Sequence, residues 1–237
     1  IGEPQRVEPP IGSPRDRGYV RVETELSKKL NLKPFVIEEE FVYRGFKGED
    51  VSIGKVKNYR YFIAAYKRNG TPLSQDKLEK TLLWRSYLSN SKVMNALSAV
   101  SKFMKKERWY LERMGEGAMH QYKVVWRDVA KEFIPAVETS GAIPDYTVNY
   151  VVVRNVEEAH YLLAILLAPQ INSVVRELAP WIGHVQPRFI RYFKIPRYDP
   201  QNETHRRLAE IGRKIHEEGE EAANSLRDEI EKLVEKL

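Results

Sequence analysis

The spacing of hydrophobic positions changes several times along this chain, and each change predicts an element. Across residues 19 to 66, short β-branched and aromatic runs alternate with turn residues: Phe35-Val36-Ile37, residues 40 to 44, Val51-Ser52-Ile53, and the longest, residues 59 to 66. These predict strands. Across residues 73 to 110 the spacing becomes three and four, through Leu78, Leu82, Leu83, Tyr87, Leu88, Val93, Leu97, Val100 and Met104, which predicts helix with an apolar, core-facing stripe. Residues 122 to 128 and 147 to 154 return to strand pattern. Residues 156 to 176 are helical again, and Pro169 is expected to break or kink that helix because it lacks an N–H and its ring crowds the preceding turn.

The C-terminal pattern is the most regular. Tyr198-Asp199-Pro200 has turn chemistry and Asn202 is placed to cap a helix. Leu208, Ile211, Ile215, Gly219, Ala222, Leu226, Ile230, Leu233 and Leu237 then follow at spacings of 3, 4, 4, 3, 4, 4, 3 and 4. An eleven-residue repeat of this kind keeps one face of a nearly straight helix apolar. Continuous over residues 203 to 237, it would be a rod of about 50 Å. Gly219 would cost such a rod about 1 kcal/mol relative to Ala, which suggests a point of close approach. The apolar side needs cover, expected from the domain's own surface for the first turns and then from a helix of another subunit or of a catalytic part, so a helix-mediated homo-oligomer is one expectation. The pattern as a whole predicts a mixed α/β (α+β) fold with mixed or antiparallel strands and packed helices, followed by a long C-terminal helix. The expected divisions are a Pro- and Gly-rich lead-in at 1–18, a domain at 19–200 and the amphipathic helix at 201–237.

Charge adds a class of partner. The 237 residues carry a formal +6, but residues 203 to 237 hold ten acids and seven bases, which leaves 32 bases against 23 acids, or +9, on residues 1 to 202. A basic body attracts polyanions such as nucleic acid, and ordinary solvated lysines produce the same count. Cysteine is absent, so disulfides and thiolate metal sites are excluded. No apolar run approaches the ~20 residues of a membrane span and no signal peptide is visible, so no membrane partner is expected and the expected compartment is the cytoplasm. The chain opens on Ile1 rather than Met, which suggests a piece of a longer protein.

The basic residues fall in particular places. Arg44-Gly45-Phe46-Lys47-Gly48 and Gly54-Lys55-Val56-Lys57 are basic glycine-containing loops, which suit either solvated hairpin turns or a backbone that approaches phosphate while Arg44, Lys47, Lys55 and Lys57 neutralise it. Lys67-Arg68-Asn69-Gly70 ends a strand in a turn, with Arg68 and Asn69 of the types that read base edges. Lys102, Lys105, Lys106 and Arg108 form a basic helix end. Lys123 and Arg127 lie on the strand at 122 to 128. The run from Trp181 to Lys194, with His184, Gln186, Arg188 and Arg191, mixes apolar anchors with polar groups in the composition most like a DNA-contacting segment.

Catalytic patterns are weaker. Glu8-Pro9-Pro10-Ile11 superficially matches the polar-Pro-Pro-aromatic loop of amino-methylating DNA methyltransferases, but Ile11 cannot stack on a flipped base and Glu8 is the wrong polar group, so it reads as linker. Gly115-Glu116-Gly117 does not follow a strand and open a helix as a nucleotide-binding glycine loop must. A Mg-dependent nuclease of the common type needs Glu-x-Lys or Asp-x-Lys, and no acidic residue here has Lys two positions later. The five histidines, at 120, 160, 184, 205 and 216, show no ligand pair one helical turn apart.

In order along the chain, several segments resemble the C-terminal target-recognition domain of adenine-N6 DNA methyltransferases, the TaqI-like specificity domain also found in combined restriction-methylation enzymes. The resemblance runs through Tyr43-Arg44-Gly45-Phe46-Lys47-Gly48-Glu49-Asp50-Val51, Tyr61-Phe62-Ile63, Tyr66-Lys67-Arg68-Asn69-Gly70-Thr71-Pro72-Leu73 and Tyr122-Lys123-Val124-Val125-Trp126-Arg127-Asp128, and closes with Lys194-Ile195-Pro196-Arg197-Tyr198-Asp199-Pro200 and the helix start His205-Arg206-Arg207-Leu208-Ala209-Glu210. It implies a module that grips duplex DNA opposite a catalytic methyltransferase domain or subunit and selects the sequence to be modified. That catalytic part would use S-adenosylmethionine; this chain has neither the methyl-donor glycine motif nor the catalytic Pro-Pro loop, so by itself it is expected to be non-catalytic. The DNA-contact candidates are Arg44, Lys47, Lys55, Lys57, Lys67, Arg68, Asn69, Lys123, Arg127, His184, Gln186, Arg188 and Arg191. Two other readings remain: a structural module that presents its C-terminal helix to a partner, and an enzyme completed in trans by a methyltransferase chain.

Overall fold

A computed structural model describes residues 1–104, 115–130, 132–178, 184–190 and 192–237. The chain divides into two compact units, neither contiguous in sequence: residues 1–45 with 60–119, and residues 46–59 with 120–237. The fold is mixed α+β, as expected. The expected division at residue 200 is replaced, because the C-terminal helices belong to the second unit rather than forming an appendage.

The first unit opens with an antiparallel sheet of β1 (Gln5–Val7), β2 (Tyr19–Val22) and β3 (Phe35–Glu38), with Arg6 opposite Val20 and Val20 opposite Ile37. The N-terminal stretch thus contributes a strand where the Pro and Gly content suggested only a lead-in. Helix α1 (Glu25–Lys29) links β2 to β3, capped by Thr24, whose hydroxyl accepts the Ser27 N–H at 2.8 Å. Strand β4 (Val42–Phe46) follows, and the chain then leaves for the second unit through β5 (Val51–Ser52) and β6 (Gly54–Val56). It returns as β7 (Arg60–Ile63), antiparallel to β4 with Tyr43 opposite Phe62 and Arg44 opposite Tyr61.

The helical stretch predicted at 73 to 110 is broken into α2 (Gln75–Leu78), a π-type turn at Trp84–Leu88 and α3 (Ser91–Met104). Its last residues, with Lys105, Lys106 and Arg108, lie outside the described residues. The break at the π-type turn has a local cause: the buried Glu38 carboxylate accepts the Leu82 and Leu83 N–H groups at 2.7 and 3.2 Å, which satisfies donors at a helix start. Leu78, Leu83, Tyr87, Leu88 and Val93 bury their apolar stripe against Val20, Ile37 and Phe41, as the spacing predicted.

The second unit is built on a five-stranded sheet in the order β11-β8-β9-β6-β5, from β8 (Lys123–Arg127), β9 (Pro135–Glu138) and β11 (Val148–Val152) together with β5 and β6. Strand β10 (Ile143–Pro144) lies between β9 and β11 in the chain. Only the β6–β9 pair in that sheet is parallel. Both faces of β8 are buried, Val125 within one cluster and Val124 and Trp126 within the other, so its apolar run is continuous rather than alternating.

Helix α4 (Val156–Leu166) starts at Asn155, whose side chain accepts the Glu158 N–H, and it ends just before Pro169, the first residue of α5 (Pro169–Leu178). Pro169 therefore acts as the expected break, at the one helical position where its missing N–H costs nothing. After the short α6 (Pro187–Ile190) the C-terminal region is helical, as expected, but it is not one rod. It runs as α7 (Glu203–Glu218), α8 (Glu220–Ser225) and α9 (Arg227–Val234). Gly219 takes φ +86 and ψ −144, which ends α7, and Arg207 on α7 meets Glu229 on α9 at 2.7 Å. Across 22 residues a straight helix would hold them about 33 Å apart, so α9 folds back along α7.

The apolar stripe is consumed within the unit. Leu208, Ile211, Ile215, Ala222 and Ile230 are all in the same buried cluster as Leu163, Ile165 and Leu166 of α4. Helices α4 and α7 approach so closely at Gly212 that a Cβ there would sit 1.9 Å from the His160 carbonyl oxygen. The covered stripe removes the reason to expect a helix-mediated oligomer. No helix among the described residues is long and apolar enough to cross a membrane.

Candidate nucleic-acid interface

The thirteen candidate contacts are divided between the two units, which treat them differently. In the first unit, Lys67, Arg68 and Asn69 occupy consecutive exposed positions of a tight turn after β7. The turn is closed by Lys67 N–H donating to Thr71 O at 2.8 Å and Gly70 N–H to Lys67 O at 2.9 Å, with Tyr66 and Pro72 paired at its base. The Asn69 carboxamide oxygen accepts the Thr71 N–H at 3.1 Å, the local hydrogen bond for which turns favour Asn. Gly70 is required: its φ is +77, and a Cβ there would lie 2.3 Å from Glu116 N and from Gly115 C. The turn is therefore held from beneath while its three polar side chains face outward.

Arg68 is fixed as well. Its guanidinium carbon lies 4.3 Å from the centroid of the Tyr43 ring, and Nη2 donates to Val42 O at 3.3 Å. The ring is anchored in turn, since the buried Tyr43 hydroxyl donates to Tyr66 O at 2.7 Å. Burial raises the Tyr43 phenol above its ordinary range and the Arg68 charge opposes that shift, so the phenol stays a neutral hydrogen-bond donor. Arg44 is exposed on β4, one residue from Tyr43.

In the second unit several candidates are used internally. Lys123 is a correction. Its side chain is 0% exposed, its ammonium lies 3.1 Å from Glu138 Oε2 and also donates to His120 O, so it cannot reach DNA in this fold. Desolvation lowers the Lys123 pKa and the adjacent carboxylate works against that. The half-buried Arg127 directs Nε and Nη2 onto Val51 O, at 3.0 and 2.6 Å, and so ties β8 to β5. Lys55 donates to Glu217 O at 2.9 Å, at the C-terminal end of α7, where a cation offsets the helix dipole. Lys57 is exposed and Lys47 half-buried, both backbone-tied to Asp50: its carboxylate accepts Lys47 N–H and its carbonyl Lys57 N–H, each at 2.8 Å.

His184 pairs with Val129 and places Nδ1 3.0 Å from Asp128 Oδ2, with the imidazole 40% exposed. Asp128 is positioned by the Asn149 carboxamide, which donates to Asp128 Oδ1 at 2.6 Å and to Val185 O at 2.9 Å. Gln186 is half-buried beside it. The side chain of Arg188, and Arg191 with residues 181–183 at the start of the run, lie outside the described residues.

Charge follows the same division. The first unit carries 20 basic and 13 acidic side chains, a net +7, and the second 19 and 20, a net −1. The positive field of the chain belongs to the unit that presents Lys67, Arg68 and Asn69.

Comparison with known proteins adds no family: no family model matches the chain and no curated protein is similar to it.

Pairings between distant residues were invisible in the sequence. Lys123 with Glu138, Asp128 with His184, and His160 with His216 join positions 15, 56 and 56 residues apart. The only prior signal was an ionisable residue inside an apolar strand, as at Lys123. Among the described residues no group of three or more His, Cys, Asp or Glu is placed to hold a metal ion. Gly115 precedes a short 3-10 turn (Glu116–Met119) that contains Gly117, and β8 follows it in the chain. Pro10 O accepts the Ser13 N–H at 2.9 Å within the loop between β1 and β2.

Proposed function

We propose that this chain is the sequence-specific DNA-recognition module of an adenine-N6 DNA methyltransferase or restriction-modification enzyme, holding duplex DNA for a catalytic domain or subunit that binds S-adenosylmethionine. The observation that carries the reading is the braced turn at Lys67, Arg68 and Asn69: three consecutive exposed side chains of phosphate- and base-contacting types, on the unit with net +7. The ordered sequence resemblance supplies the enzyme class.

The rival reading, a module that displays its C-terminal helix to a partner, depended on an uncovered apolar stripe. That stripe is buried on α4, so the rival loses its support.

Titration of labelled duplex DNA with the whole chain over a salt series tests the proposal. Each neutralised phosphate contributes about 0.9 to the slope of log affinity against log salt. Undetectable binding at low salt, or affinity indifferent to salt, would sink it.

A further inference from the structure

We propose that Arg68 reads a guanine in the major groove and is a residue that sets the target sequence. The inference rests on the DNA reading above and deepens it by separating the base-reading side chain from those that only neutralise phosphate.

A guanidinium bonds differently through its edges and its face. Its hydrogen bonds lie in its plane and leave at the edges, whereas a cation–π contact uses the face. Arg68 spends its face on Tyr43, at 4.3 Å, and one Nη2 hydrogen on Val42 O, at 3.3 Å. The fork has five N–H groups, so a bidentate edge is retained. No carboxylate pairs with Arg68 among the described residues.

Position supports the same role. The turn that carries Arg68 is closed by two backbone hydrogen bonds and packed against Gly115 and Glu116 through Gly70, so neither backbone nor side chain has much freedom left to lose on binding. A rigid planar fork suits guanine, which offers O6 and N7 as two acceptors on one edge. Lys67, a compact charge on a flexible stem, suits a phosphate. Asn69 is the weaker base reader, because its carboxamide oxygen accepts the Thr71 N–H, which holds the donor–acceptor edge that adenine requires in an orientation set by the turn.

Selection from a randomised duplex pool, with the whole chain and its variants, tests this. The unsubstituted chain is expected to enrich a motif containing fixed guanines. Arg68→Ala and Arg68→Lys should lose the preference at one guanine while keeping the others. Replacing that guanine by 7-deazaguanine, which removes N7, should weaken the unsubstituted chain by about 5- to 150-fold and leave Arg68→Ala unaffected.

A uniform loss of affinity across all sequences in both variants would make Arg68 a phosphate contact and overturn the proposal, as would an unchanged motif. Arg68→Lys keeps the charge over Tyr43, so it separates loss of the fork from loss of the fold. Failure of the unsubstituted chain to bind any duplex would overturn the recognition reading itself, whereas binding without a guanine that depends on Arg68 would overturn only this inference.

Discussion

His160 Nε2 lies 2.9 Å from His216 Nδ1, across the seam where α4 meets α7. One ring must donate and the other accept, so the pair exists only while at least one imidazole is neutral. Burial, His216 and Arg213 push His160 down to about 4, and burial also lowers His216, with Lys55 adding to the effect and Glu217 and Glu138 opposing it. Both folded values lie below the unfolded one, so the unfolded chain binds more protons as pH falls. The stability is therefore fully present above about pH 6.5 and is lost between 6.5 and 4. Urea midpoints should be flat from pH 7 to 8 and fall across that window by the equivalent of about 2 kcal/mol, a figure reduced for solvent screening. His160→Gln should flatten the slope. A midpoint that rises on acidification would contradict the assignment.

Lys123 and Glu138 form a fully buried ion pair between β8 and β9, and Glu138 Oε1 is also occupied by the Ser140 N–H and hydroxyl at 2.8 and 2.5 Å. Removing one partner strands a charge in the core. Lys123→Met should cost about 3–5 kcal/mol, and adding Glu138→Leu should recover most of it. If the double variant is as unstable as the single, the pair is not the source of the cost. The proposed DNA affinity should follow the folded fraction alone in Lys123→Met, since this lysine makes no surface contact.

Gly219 separates the two descriptions of the C-terminal region by the sign of one measurement. In a continuous rod Gly219→Ala would stabilise by about 1 kcal/mol. In the folded-back arrangement it must destabilise, by about 1–3 kcal/mol, because φ +86 with ψ −144 is a conformation that L side chains rarely adopt. Chemical denaturation decides between them. A Cβ at Gly219 would meet nothing nearer than 3.7 Å, so the glycine serves backbone conformation rather than the close approach its place on the stripe suggested. The close approaches belong to Gly212, against His160, and to Gly54, where a Cβ would lie 2.3 Å from Ile215 O.

What the sequence disclosed follows from the range of the forces involved. Asn202 capping α7, Pro169 opening α5 and the apolar stripe of α7 are local or periodic, and a chain read in order reveals them. The fold-back at Gly219 was hidden because a helix break and a helix hairpin leave the same three-and-four spacing on both sides. The two-unit division was hidden because residues 46–59 leave the first unit and pack with residues 120–237, a decision made by contacts far apart in sequence. For the proposed interface, residue type and turn chemistry placed Lys67, Arg68 and Asn69 in a turn, where the structure has them exposed. Residue type misplaced Lys123, because the strand pattern shows that a side chain lies on a strand and not that both faces of that strand are covered.

The uneven charge of the two units gives their exposed lysines unequal weight. If DNA is held mainly by the unit with net +7, reversals at two exposed lysines, one in each unit, should differ. Lys67→Glu sits in the turn of that unit, whereas Lys57→Glu sits in the unit with net −1. Neither lysine has a side-chain hydrogen bond or ion pair among the described residues, so both variants should fold with stability changed by less than about 0.5 kcal/mol. Lys67→Glu should lower duplex affinity at low salt and reduce the salt slope by about 1, while Lys57→Glu should change the slope by less. Equal losses would mean that the second unit shares the DNA, and a larger loss at Lys57 would move the primary contact there.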